Sequence, residues 1–162
     1  PVQPKDERRV ADRLTAWADD PYDTEGFPEN GSVQLLRLDE LLVATDVFEL
    51  AVDLGDRAEP AKITDTMQDR LAEELVAIIV EEITFPNQQR HVVVLTHLGS
   101  LYPFTRTSEL LDELDRRNIQ STIGIPLPGL ISAGKLSFFG ESSRDYYPAH
   151  QIDGRIEEVH LQ

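Results

Sequence analysis

The sequence predicts an α/β domain: a three-layer sandwich with a mainly parallel, Rossmann-like sheet and a late β-hairpin. Helical and extended patterns alternate along the chain, as parallel strands joined by crossover helices require. His91-Val92-Val93-Val94-Leu95-Thr96-His97 has a nearly continuous β-branched centre, the composition of a strand covered on both faces. The 162 residues suit one core rather than two. No repeat, low-complexity tract or linker divides them, so residues 1–162 read as a single domain.

Each element has its own signal. Between Pro4 and Ala18 the apolar Val10, Leu14, Trp17 and Ala18 fall on one helical face, with Lys5 to Arg9 on the wet side. Asp20-Pro21 and the following Gly26, Pro28 and Gly31 make a loop. Val33 to Leu38 is a short strand, and Asp39 N-caps a helix carrying Leu41, Leu42, Phe48 and Leu50. After a polar break at 55–60, the longest helix runs from about Thr64 to Ile83. Its Met67, Leu71, Leu75, Ile78, Ile79 and Ile83 recur every three or four residues. The central strand follows, then a turn through Gly99 and Pro103. A helix from Thr105 to Arg117 comes next, with Leu110, Leu111 and Leu114 as its stripe. Ser121 to Pro126 and Leu136 to Phe139 are further strands around a Pro128-Gly129 turn, and Arg155 to Leu161 is a last, edge-like strand.

Composition excludes several function classes. With no cysteine there are no disulfides, thiolate metal sites or cysteine nucleophiles. No apolar run reaches the roughly 18–20 residues that cross a bilayer, so a membrane partner is not expected and the chain reads as cytoplasmic. Thirty acidic against fifteen basic residues leave a net charge of −15, which repels nucleic-acid backbones and makes direct nucleic-acid binding unfavourable. The acids are spread along every segment, as on a solvated surface suited to a salt-rich cytoplasm. An acidic face that binds a basic partner or imitates DNA is the sharper alternative.

Few motifs carry chemistry. Gly129-Leu-Ile-Ser-Ala-Gly134-Lys135 fits the first seven positions of a phosphate-binding loop. Such a loop must open a helix and offer a Ser or Thr to magnesium. Here Leu136 stands at the magnesium position and the following residues are strand-like. A turn between two strands accounts for both glycines. The histidines lack metal spacing; His91 and His97 flank one strand about 20 Å apart, at ~3.3 Å per residue. His97 is a candidate ligand contact, because it ends a central strand where open α/β sheets place ligands. A histidine bonded within the turn is the plainer reading. No nucleophile elbow occurs and no acid–base pair has a visible partner, so no catalytic residue, cofactor or metal is assigned. Arg106 stands out as a cation in the first turn of its helix, the wrong end for the dipole.

The run Leu95-Thr-His-Leu-Gly-Ser-Leu-Tyr-Pro-Phe-Thr-Arg-Thr-Ser-Glu-Leu-Leu-Asp-Glu-Leu114 resembles the signature of the BrxB family. Ile125-Pro-Leu-Pro-Gly129, Gly134-Lys-Leu-Ser-Phe-Phe-Gly140 and Asp145-Tyr-Tyr-Pro-Ala149 are similar to its following steps, in the same order. The sequence departs from the pattern at Pro148, where an arginine is common, and at Leu127, where an aromatic is common. Gln3-Pro-Lys-Asp-Glu7 is similar to the segment after the family's first strand, which implies that this strand is absent here. The resemblance implies a component of a bacteriophage-exclusion (BREX) system with no assigned enzymatic activity. Its implied partners are the methyltransferase, the ATPase and the phosphatase-like protein of that system. It also implies a glycine turn between strands in place of a phosphate loop.

On this reading Tyr102, Pro103, Phe104 and Arg106 form a partner-binding surface, aromatic and arginine side chains being common interface anchors. For Phe104, packing beneath the helix start competes with that role. Nucleotide binding through Gly129, Gly134 and Lys135 is the alternative.

Overall fold

The computed structural model describes residues 2–23, 27–55, 59–85, 90–132, 135–138 and 141–142. Strands β1 (Ser32–Arg37), β2 (His91–Thr96) and β3 (Thr122–Gly124) form an all-parallel sheet in the order β1-β2-β3. Val93 lies opposite Gln34 on one side and Ile123 on the other. The fold is therefore α/β, with β2 at the centre. The expected strand at Arg155 to Leu161 lies outside the described residues, as do the Asp145–Ala149 step and Pro148.

Helices fill the crossovers. Between β1 and β2 come α2 (Leu38–Leu42), α3 (Asp46–Leu54) and α4 (Pro60–Glu82); between β2 and β3 comes α5 (Thr107–Arg116). Right-handed crossovers that step the same way across a sheet place their helices on one face, and α4 does touch α5. There Leu71, Leu75, Ile79, Leu110, Val93 and Leu95 are buried in one cluster. The opposite face is served by α1 (Glu7–Asp19), which touches β1. Its buried Val10 and Ala11 stand apart from the main cluster, as does Val94 on the other side of β2. Alternation along β2 thus feeds two cores, which is why a continuous apolar run is needed there.

The stretch expected to be one helix from Asp39 is two. Thr45, buried at the break, accepts the Phe48 N–H at 3.3 Å and donates to the Leu42 carbonyl at 2.8 Å, so it N-caps α3. Glu74 of α4 adds a cap from a distance: its Oε2 accepts the Val47 N–H at 2.9 Å. Asp39 is not an N-cap. Arg37 holds the position before α2, and Asp39 lies in the first turn. Helix α4 begins earlier than its apolar stripe, at Pro60, because proline's fixed φ and missing N–H suit a first helical position.

His91 knits the amino-terminal edge of the sheet together. Buried at 1% exposure, it meets Ser32 Oγ through Nδ1 at 2.7 Å and Gln34 Oε1 through Nε2 at 3.2 Å. Gln34 is oriented by donating to the Glu82 carbonyl and accepting the Thr84 N–H. His91 Nε2 must therefore carry the proton, and Nδ1 accepts from Ser32. Burial pushes its pKa below the ordinary imidazole value.

After β3, Val2 forms a parallel bridge with Pro128, its N–H donating to the Leu127 carbonyl and its carbonyl accepting the Gly129 N–H. Strands β4 (Gly129–Ser132), β5 (Lys135–Phe138) and β6 (Glu141–Ser142) pair antiparallel in a second sheet. Among the described residues no helix is long and apolar enough to cross a membrane.

Candidate functional site

The carboxyl ends of β1 and β2 converge on a polar cluster, at the edge where open α/β sheets bind their ligands. Arg37, the last residue of β1, donates to both carboxylate oxygens of Asp39, at 2.7 and 3.2 Å, and pairs with Glu40 at 3.1 Å. The guanidinium holds the Asp39 carboxyl below the usual carboxylate range. His97, immediately after β2, places its Nδ1 3.1 Å from Thr96 Oγ1 and 3.7 Å from Asp39 Oδ1.

The His97 backbone is left-handed, at φ 60° and ψ 38°. For a residue with a Cβ that conformation costs about 1–2 kcal/mol, and local bonds offset it. The His97 carbonyl accepts both the Ser100 N–H at 3.1 Å and the Ser100 hydroxyl at 2.7 Å. The plainer expectation for His97, a histidine bonded within its turn, describes these contacts. Its proximity to Asp39 adds a carboxylate that can orient the ring. Among the described residues no group of three or more His, Asp or Glu side chains could hold a metal ion.

From His97 the chain makes a 3-10 turn over Leu98–Leu101 and then runs to α5. Leu98 and Leu101 are buried and fasten the turn to the core. Gly99 donates its N–H to Glu7 Oε1 at 2.8 Å, tying the loop to α1. Beyond Leu101 the expected surface residues separate by role. Tyr102 is 44% exposed, Pro103 and Arg106 are also exposed, and Phe104 is half-buried against the main core. The Pro103 carbonyl accepts from Gln68 Nε2 of α4 at 3.1 Å.

Arg106 sits one position before the first turn of α5, as its N-cap residue. A guanidinium has no acceptor and cannot cap a backbone N–H itself. Glu109 supplies the reverse contact, its Oε2 accepting the Arg106 N–H at 3.1 Å and the Thr105 hydroxyl at 3.2 Å. The backbone at Arg106 is thus held while its side chain stays at the surface.

Of the other expected site, Gly129 and Lys135 lie in the second sheet. Gly129 opens β4 and Lys135 opens β5, so Lys135 begins a strand, whereas a phosphate loop needs its lysine at the start of a helix. Gly134 lies outside the described residues.

The sequence matches the family described as "BREX protein BrxB" over residues 33–152, more than half of the chain. The chain belongs to the BrxB family. As such it is a component of a BREX defence system. No curated protein and no solved structure matches it. The BrxB match spans β1 to β6 and includes both the Arg37–Asp39–His97 cluster and the loop from Leu98 to Arg106.

Reading the sequence alone missed Arg37, Asp39 and Gln68 as parts of this BrxB edge. Arg37-Leu-Asp39 at a strand end does carry a signal, since alternate residues around such a turn can pair. Gln68 carries none, because it meets Pro103 across 35 residues.

Proposed function

We propose that this BrxB-family chain works by binding rather than by catalysis, as an interaction subunit of the BREX assembly. The surface formed by Tyr102, Pro103 and Arg106 contacts another component, of which the methyltransferase, the ATPase and the phosphatase-like protein are the candidates. The observation that supports it is an exposed tyrosine beside an exposed proline and arginine, on a backbone pinned by buried Leu101, Thr105 and Thr107. A pre-ordered aromatic and arginine pair loses little conformational freedom on docking, which is what interface anchors require. The acidic remainder of the surface disfavours a nucleic-acid partner, and we take the subunit to act in the cytoplasm.

The test is retention of the other system proteins on the affinity-tagged chain, purified from cells that carry the complete defence gene set. Tyr102→Ala with Arg106→Ala should abolish retention and phage protection while leaving the melting temperature unchanged. Normal retention by that double variant would sink the proposal.

A further inference from the structure

The Tyr102–Arg106 surface is carried by a loop, and a loop presents anchors well only if something holds it still. Leu98 and Leu101 fix its first half and Thr105 its end, all three buried. Between them the chain rises to the surface at Tyr102 and Pro103. At that crest the Pro103 carbonyl is held by Gln68, whose amide donates from α4 at 3.1 Å. Gln68 is itself exposed. It follows Met67, which is buried in the core, on a helix anchored one turn later by Leu71. The donor is therefore mounted on a rigid element, while its side chain contributes nothing to core packing.

Resting on the reading that this loop docks a partner, we propose that Gln68 is a positioning residue for the docking surface. It contacts no partner. By clamping the Pro103 carbonyl it keeps Tyr102 and Arg106 in the presented arrangement, so that the ordering is complete before the partner arrives. Losing the clamp loosens the crest while the flanking bonds of Phe104 and Thr105 to the Leu101 carbonyl, at 2.8 and 3.1 Å, open more often.

The experiment combines amide hydrogen exchange on the isolated full chain with retention of the other proteins of the defence gene set. Gln68→Glu removes the donor at nearly unchanged size, Gln68→Ala removes the side chain, and Gln68→Lys restores a donor. A surface hydrogen bond of ordinary strength corresponds to a roughly 5-fold change in local opening. Exchange at Phe104 and Thr105 should therefore rise about 5-fold in the Glu and Ala variants and return toward the parent value with Lys. Retention should fall in the same order, with melting and exchange at Leu71 and Leu75 unmoved. Unchanged exchange at Phe104 and Thr105 would overturn the clamp. Raised exchange with normal retention, while the Tyr102→Ala, Arg106→Ala double variant abolishes retention, would overturn the positioning role and leave the docking reading intact. Normal retention by that double variant would overturn the docking reading and the positioning role with it.

Discussion

Replacing Gly99 by alanine should destabilise the protein or stabilise it, depending on a residue 92 positions away in sequence. A Cβ built on Gly99 would fall inside the van der Waals shell of the Glu7 carboxylate. That carboxylate is also the acceptor of the Gly99 N–H at 2.8 Å. The carboxylate can swing away, since it ends a flexible side chain, but only by giving up the bond. A hydrogen bond to a charged group contributes about 1.5–3 kcal/mol. Against this, alanine restricts the unfolded chain and returns about 0.4–1 kcal/mol where the backbone conformation suits it. Gly99→Ala alone should therefore cost about 1–2 kcal/mol. In a Glu7→Ala background the clash and the bond are both gone, and the same substitution should stabilise by about 0.4–1 kcal/mol. A double-mutant cycle by chemical denaturation reads this as a change of sign. An equal cost of Gly99→Ala in both backgrounds would refute the assignment of Glu7 as the anchor of this loop.

Three other outcomes are expected. Because burial lowers the pKa of His91 in the folded state, the unfolded chain binds more protons between the folded and unfolded values. Stability is then full above the ordinary imidazole value and falls as the pH drops through it, and His91→Gln should flatten the melting temperature between about pH 7.5 and 5.5. Among the described residues the buried Thr107 hydroxyl has no hydrogen-bond partner, and it lies on the same helical face as Leu110 and Leu114. Thr107→Val should be neutral or stabilising by up to about 1 kcal/mol, and a clear loss in urea denaturation would reveal a partner for the hydroxyl. Glu74→Ala removes the distant cap of α3 and should cost about 1–2 kcal/mol, with faster amide exchange at Val47 than at Leu75.

The elements legible in the sequence were those whose own residues dictate them. The β-branched centre of β2, the four-residue spacing from Met67 to Ile83 and the leucines of α5 each specify a period, and the structure has a strand, a long helix and a helix there. Residues 39–54 were misread because Leu41, Leu42 and Phe48 fit one helical face, while the break depends on one hydroxyl, that of Thr45, bonding both ways. The start of α5 was placed two positions early, at Thr105 instead of Thr107, enough to move Arg106 from the helix to its cap. The place of His97 just after a central strand was legible. Its pairing with Asp39 was not, because that pairing depends on how β1 and β2 align.

The register of that sheet also governs when it can form. Ser32 pairs with His91 and Thr122 with Val92, so no two neighbouring strands are close in sequence and no local hairpin can seed the sheet. During synthesis β1 cannot pair with β2 until the whole of α2 to α4 and then β2 have emerged, and that edge of β1 stays open for the interval. Sheets built from such distant pairs fold slowly and are vulnerable to self-association while they wait. Helix α4, whose turns need only their own residues, is the element able to gather the leucines of the core first. A chain stopped before His91 would keep α1 to α4 and lack β2, the strand that β1 pairs with.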